Sequence, residues 1–112
     1  MSLLSGQRAW LLQRITALYA GLYVFLAVAV LLARPPADHA AWLALVTHPI
    51  VWLATAAFVV LLLLHAWVGL RDVFLDYLRS FVVRLSALVG AAIAFLLLGL
   101  WALWILIEAA LR

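Results

Sequence analysis

The sequence predicts an all-α membrane protein of three transmembrane helices with its amino terminus on the cytoplasmic side. Three observations predict it. Hydrophobic residues make up 72% of the 112 and charged residues only 10%, against roughly 25% charged in a soluble domain whose surface must be wetted. Three stretches, Ile15 to Ala33, Ile50 to Leu70 and Leu85 to Ile107, contain no Asp, Glu, Lys or Arg. Each is roughly 20 residues long, enough to cross ~30 Å of hydrocarbon at about 1.5 Å per residue. Third, Arg8, Arg14, Arg71, Arg79 and Arg84 fall on one side of such a topology, leaving Arg34 and Arg112 on the other; positive residues favour the cytoplasm.

The whole chain, 1–112, reads as a single membrane-anchor domain, because a soluble core of this length cannot bury so much apolar surface. None of the runs alternates in polarity as a barrel strand would. The net charge of +3 comes from dispersed arginines, which gives no support to a nucleic-acid partner. Cysteine is absent, so this chain has no disulfide, thiolate metal site or cysteine-ligated iron–sulfur cluster.

The first helix is expected over roughly 10–33, after a polar start that includes Gln7, Arg8, Gln13 and Arg14. Arg34-Pro35-Pro36 ends it, since proline lacks a backbone donor and disfavours helix at the preceding residue. Asp38 can cap a short apolar segment, His39 to Val46, resting at the interface. Thr47-His48-Pro49 starts the second span, with proline in the first turn where its missing N–H costs nothing. That span, 49–77, runs beyond the hydrocarbon so that Arg71, Asp72 and Asp76 reach polar surroundings. A single helix from Pro49 to Ile107 would measure roughly 90 Å, too long for any bilayer. The chain therefore turns near Arg79-Ser80, and a third span occupies 81–108.

His65 stands in Leu64-His65-Ala66-Trp67-Val68-Gly69, deep within the second span. Ionisable residues in membranes are costly and mark functional sites by default; the plainer alternative is a hydrogen bond to a neighbouring helix. Imidazole is a common axial ligand of heme iron, and Gly69, one turn on, leaves room on that face for a flat macrocycle. Arg14, near the cytoplasmic end of the first helix, is placed to pair with a heme propionate. His48 lies roughly 25 Å away along the same helix, and His39 is further out, so neither can share an iron with His65. A second axial ligand must come from another polypeptide.

His65, Gly69, Asp72 and Asp76 fall within an arc of roughly 60° at about 100° per residue. Tyr77 points into a neighbouring groove; its phenol can donate to a quinone carbonyl while a nearby carboxylate helps protons arrive. The plainer reading pairs Asp72 and Asp76 with Arg71, Arg79 or Arg84 at the headgroups. Trp10, Trp42, Trp101 and Trp104 fit interface belts or lipid packing. Tyr19 and Tyr23 form an i, i+4 pair suited to helix contact, and Gly21, Gly90 and Gly99 permit close approach of helices.

Two segments, Trp10-Leu11-Leu12-Gln13-Arg14-Ile15-Thr16-Ala17 and His65 through Gly69 and Val73 to Asp76-Tyr77, carry a resemblance. Over essentially its whole length the chain resembles the small hydrophobic membrane anchors of succinate dehydrogenase, respiratory complex II. The resemblance implies a complex with a flavoprotein subunit, an iron–sulfur subunit and a second membrane anchor (a cytochrome b subunit), in the inner (cytoplasmic) membrane. It implies His65 as one axial ligand of heme b, Arg14 near a propionate, and Tyr77 with Asp76 at a ubiquinone-type quinone. Electrons from succinate, a tricarboxylic acid cycle intermediate, would reach the quinone of the respiratory chain without succinate chemistry on this chain. There are departures: Leu78-Arg79-Ser80 stands where some relatives have Lys-Pro, and Arg8 stands where some have histidine. Some relatives lack heme, but His65 is retained here.

Two other functions compete. A small multidrug-type transporter has similar length, but it normally has four spans and an acid within the membrane. A cofactor-free membrane assembly protein would use His65 only for helix packing.

Overall fold

The computed structural model describes residues 6–112. Four helices follow in order: α1 (Gly6–Ala33), α2 (His39–Val46), α3 (Pro49–Tyr77) and α4 (Phe81–Leu111). Three of them, α1, α3 and α4, are long and apolar enough to cross a membrane, with 18-residue stretches of mean hydropathy 2.4, 2.2 and 2.4. The expected membrane protein of three spans is what the chain forms. Helix α1 is already formed at Gly6, the first described residue and ahead of the polarity change, and α4 continues to Leu111.

The local chemistry accounts for the boundaries. Arg34 still donates to the Val30 carbonyl (2.8 Å), and the prolines that follow stop the helix. Asp38 caps α2 by accepting from the Ala41 amide at 2.8 Å. His48 caps α3 through Nδ1, which accepts from the Ile50 amide at 3.3 Å, while Pro49 occupies the first turn. The second turn takes only Leu78, Arg79 and Ser80. Leu78 and Ser80 adopt extended backbone with negative φ, and Ser80 Oγ accepts from the Val83 amide at 3.5 Å. An extended break of this kind reverses the chain without glycine or proline, which is why the sequence marks it faintly.

Helix α3 is the centre, packing antiparallel against α1 on one side and α4 on the other. Tyr19 donates to the Ala54 carbonyl and Tyr23 bonds Thr55 Oγ1, both at 2.8 Å, and the Tyr23 ring stacks on Phe58. Across the other seam Trp52 Nε1 donates to the Leu106 carbonyl at 2.8 Å, and Trp67 meets Phe95 edge-on. Of the three glycines expected to admit a neighbouring helix, Gly99 does so against Leu63, whereas Gly21 and Gly90 face open space. Few side chains are buried, and residues such as Leu18, Leu32 and Val82 are largely exposed. In lipid that exposure costs nothing, and helix association rests on packing and interhelical hydrogen bonds instead.

Candidate heme-ligand site at the crossing of α1 and α3

Thr16 is fully buried where α1 meets α3. Its Oγ1 lies 2.8 Å from the Leu12 carbonyl oxygen, 3.1 Å from that of Gln13 and 3.1 Å from His65 Nδ1. Back-bonding to the preceding turn is the usual way a hydroxyl is satisfied inside a helix. Here the same oxygen reaches a second helix. His65 is half-buried, and this is its one hydrogen bond among the described residues. Nδ1 is thus engaged, and Nε2 has no hydrogen-bond partner among the described residues.

One turn along each helix, Gln13 covers Gly69. A methyl on Gly69 would stand 3.4 Å from Gln13 Nε2, so the room foreseen for a flat ring on this face is occupied by the Gln13 amide. The glycine serves the approach of α1 instead. Gln13 Oε1 is buried and accepts no hydrogen bond among the described residues, an orphaned acceptor in the seam beside Gly69.

The remaining candidate residues lie apart. Arg14 is exposed, with its guanidinium carbon 5.1 Å from the centre of the Trp10 ring. It sits about 200° around α1 from Thr16, on the face turned away from α3. Asp76 and Tyr77 end α3, some 18 Å of helix rise from His65; both are exposed, Tyr77 at 78%. Asp72 pairs with Arg71 at 2.8 Å, the plainer of the two roles considered for it. Tyr19 and Tyr23 make the helix contacts expected of them. Thr16 and Gln13 had no role assigned from sequence. Their signal was polarity: a polar side chain near or inside a span needs a partner, and the only polar group at matching depth on α3 is His65.

The donor set fits one end of a shared heme site. Among the described residues no cluster of three or more His, Cys, Asp or Glu could hold a metal alone. His39 and His48 belong to the opposite end of α3, and His48 is used as a cap. A cavity of about 730 Å³ opens near that end, walled by aliphatic side chains such as Leu22, Leu26 and Val46. The Tyr19 and Tyr23 hydroxyls on its wall are spent on α3, and His39, Glu108 and Arg112 stand among its other lining residues.

The family model for the succinate dehydrogenase/fumarate reductase transmembrane subunit matches residues 2–107. The chain is similar to the succinate dehydrogenase hydrophobic membrane anchor subunit of Coxiella burnetii (strain RSA 493 / Nine Mile phase I). The two are 36% identical over 105 residues, covering 89% of this chain and 90% of the relative. The match spans all three membrane helices and the α1–α3 crossing. The chain therefore belongs to the succinate dehydrogenase/fumarate reductase transmembrane subunit family, as a multi-pass membrane anchor subunit of the inner membrane.

Proposed function

We propose that this anchor gives one axial ligand, His65 Nε2, to a heme b shared with a second membrane anchor, and that Tyr77 and Asp76 form part of a quinone-reduction site. The observation that carries the reading is the state of His65: an imidazole inside a span, held through Nδ1 by Thr16, with Nε2 making no hydrogen bond among the described residues. Ligating histidines characteristically bond the protein through one ring nitrogen and the metal through the other. The second axial imidazole comes from the partner, a cytochrome b subunit, since His39 and His48 are out of reach.

When bound, the heme would supply a one-electron store. The residues of this chain do the rest. Thr16, bonded to the edge of the imidazole, and Gly69, under Gln13, keep α1 close to α3 at this level. Arg14, on the outer face of α1, would hold a propionate, since a charge-assisted arginine–carboxylate pair is among the stronger hydrogen-bonded contacts. Tyr77 donates its phenolic proton to a quinone carbonyl, and Asp76, next in the chain and exposed, relays protons from the aqueous edge. The amino terminus and the α3–α4 turn face the cytoplasm, where the flavoprotein and iron–sulfur subunits dock. Electrons released by succinate oxidation on the flavoprotein reach the quinone through the iron–sulfur subunit.

The test is the visible spectrum of the purified complex. A reducible b-type Soret band is expected, and His65→Ala is expected to abolish or strongly alter it while the flavoprotein stays attached. A complex without the band, or one whose band survives the substitution unchanged, refutes the heme assignment and favours a packing role for His65.

A further inference from the structure

Thr16 has a hydroxyl with one proton and three polar atoms in range. The Leu12 carbonyl is the nearest at 2.8 Å, the Gln13 carbonyl stands at 3.1 Å, and His65 Nδ1 also stands at 3.1 Å. A hydroxyl donates once and accepts through its remaining lone pairs. Its proton goes to the carbonyl of the preceding turn, at the shortest distance and in the usual back-bonded geometry for threonine in a helix. The oxygen then presents only lone pairs to His65, and the atom facing it must carry hydrogen. Nδ1 is therefore the protonated nitrogen, and Nε2 keeps the lone pair that a metal needs.

We infer that Thr16 is a positioning residue for His65: it fixes the Nδ1–H tautomer, aims Nε2 out of the α1–α3 seam, and tunes the electron density of the imidazole. The inference rests on the heme reading given above and adds to it a residue of α1 that does not touch the iron. Three features support this role over simple packing. Thr16 has no solvent exposure, so water cannot replace its oxygen. The carbonyl that receives its proton polarises the hydroxyl and makes the oxygen a better acceptor. Gln13, one turn earlier on the same face, lies against Gly69 and keeps α1 close enough for the bond to form.

The sign of the effect follows. A hydrogen bond from Nδ1–H pushes electron density onto the imidazole and makes it a more basic ligand. A more basic axial ligand favours the oxidised iron, so the bond lowers the heme potential. Thr16→Val keeps the branched shape and removes the acceptor. In the purified complex it is expected to raise the heme midpoint potential, alter the low-spin electron paramagnetic resonance g-values, and weaken heme retention by about 10- to 100-fold. Thr16→Ser restores the oxygen and is expected to return all three toward wild type. If Thr16→Val does not assemble, Thr16→Ala is measured in its place. A valine or alanine variant with wild-type potential and g-values overturns the inference, as does a serine variant as perturbed as valine. A wild-type complex with no b-type heme fails earlier and sinks the parent reading; the outcomes are thereby distinguishable.

Discussion

Gly99 of α4 and Leu63 of α3 stand so close that a methyl on the glycine would lie 2.9 Å from Leu63 Cδ1. The contact sets how near the two helices run below the Trp67–Phe95 pair. The obstructing atom is the end of a flexible side chain, so a small intrusion can be met by a rotamer change. Alanine in a helix also gains about 1 kcal/mol over glycine, which offsets an overpacking cost of about 1–3 kcal/mol. Gly99→Ala is expected to shift the thermal midpoint of the detergent-solubilised complex little. Gly99→Leu is expected to lower it clearly, with partial recovery in Gly99→Leu/Leu63→Ala. A leucine variant as stable as wild type would mean that α4 does not need this approach.

Tyr23 binds α3 in two ways, by a hydrogen bond to Thr55 Oγ1 at 2.8 Å and by stacking on Phe58 with ring centres 4.2 Å apart. Thr55 spends its own proton on the Val51 carbonyl, so the tyrosine is the donor. Interhelical hydrogen bonds in membranes average about 0.6 kcal/mol. Tyr23→Phe should therefore cost roughly that amount in a denaturation series and be non-additive with Thr55→Val. Tyr23→Ala also loses the stack and should cost several times more. Equal losses for phenylalanine and alanine would assign the contact to the hydroxyl alone.

Asp72 and Asp76 separate by their partners. Asp72 is exposed and tied to Arg71 at 2.8 Å, a surface pair worth at most about 1 kcal/mol. Asp72→Asn is expected to leave quinone reduction within a factor of about two. Tyr77→Phe and Asp76→Asn are expected to slow quinone reduction while succinate oxidation by an artificial acceptor continues. Parallel loss of both activities would point to failed assembly, and an unchanged quinone rate would remove the pair from the site.

Asp38 holds the start of α2 through the Ala41 amide. Loss of such a cap costs about 1 kcal/mol, which matters to a helix of 8 residues. Asp38→Ala should speed hydrogen exchange at the first amides of α2 and leave α1 and α3 protected. Acceleration spreading into α3 would show that α2 braces the bundle.

Most of the fold was legible in the residues themselves. The spans follow from uninterrupted apolar runs, and the breaks on either side of α2 from Pro35, Pro36 and Pro49 together with capping by Asp38. The ends of α1 and α4 were less legible, because composition changes gradually there and a helix does not stop where polarity does. The Leu78–Ser80 turn was forced by length alone, since extended backbone needs no special residue.

The site divides in the same way. His65 stands out in sequence because an imidazole in lipid is expensive wherever its helix packs, and the want of a second histidine at that depth follows from helix rise. What sequence could not supply is which α1 residue reaches it. The register between two antiparallel helices depends on how their whole surfaces interlock, and no short pattern encodes it. Only the packed structure set Thr16 against Nδ1, placed Gln13 over Gly69, turned Arg14 to the opposite face, and chose Gly99 over Gly21 and Gly90 as the close contact. Solvent preference is a property of each residue along the chain, whereas partnership is a property of the pair of helices.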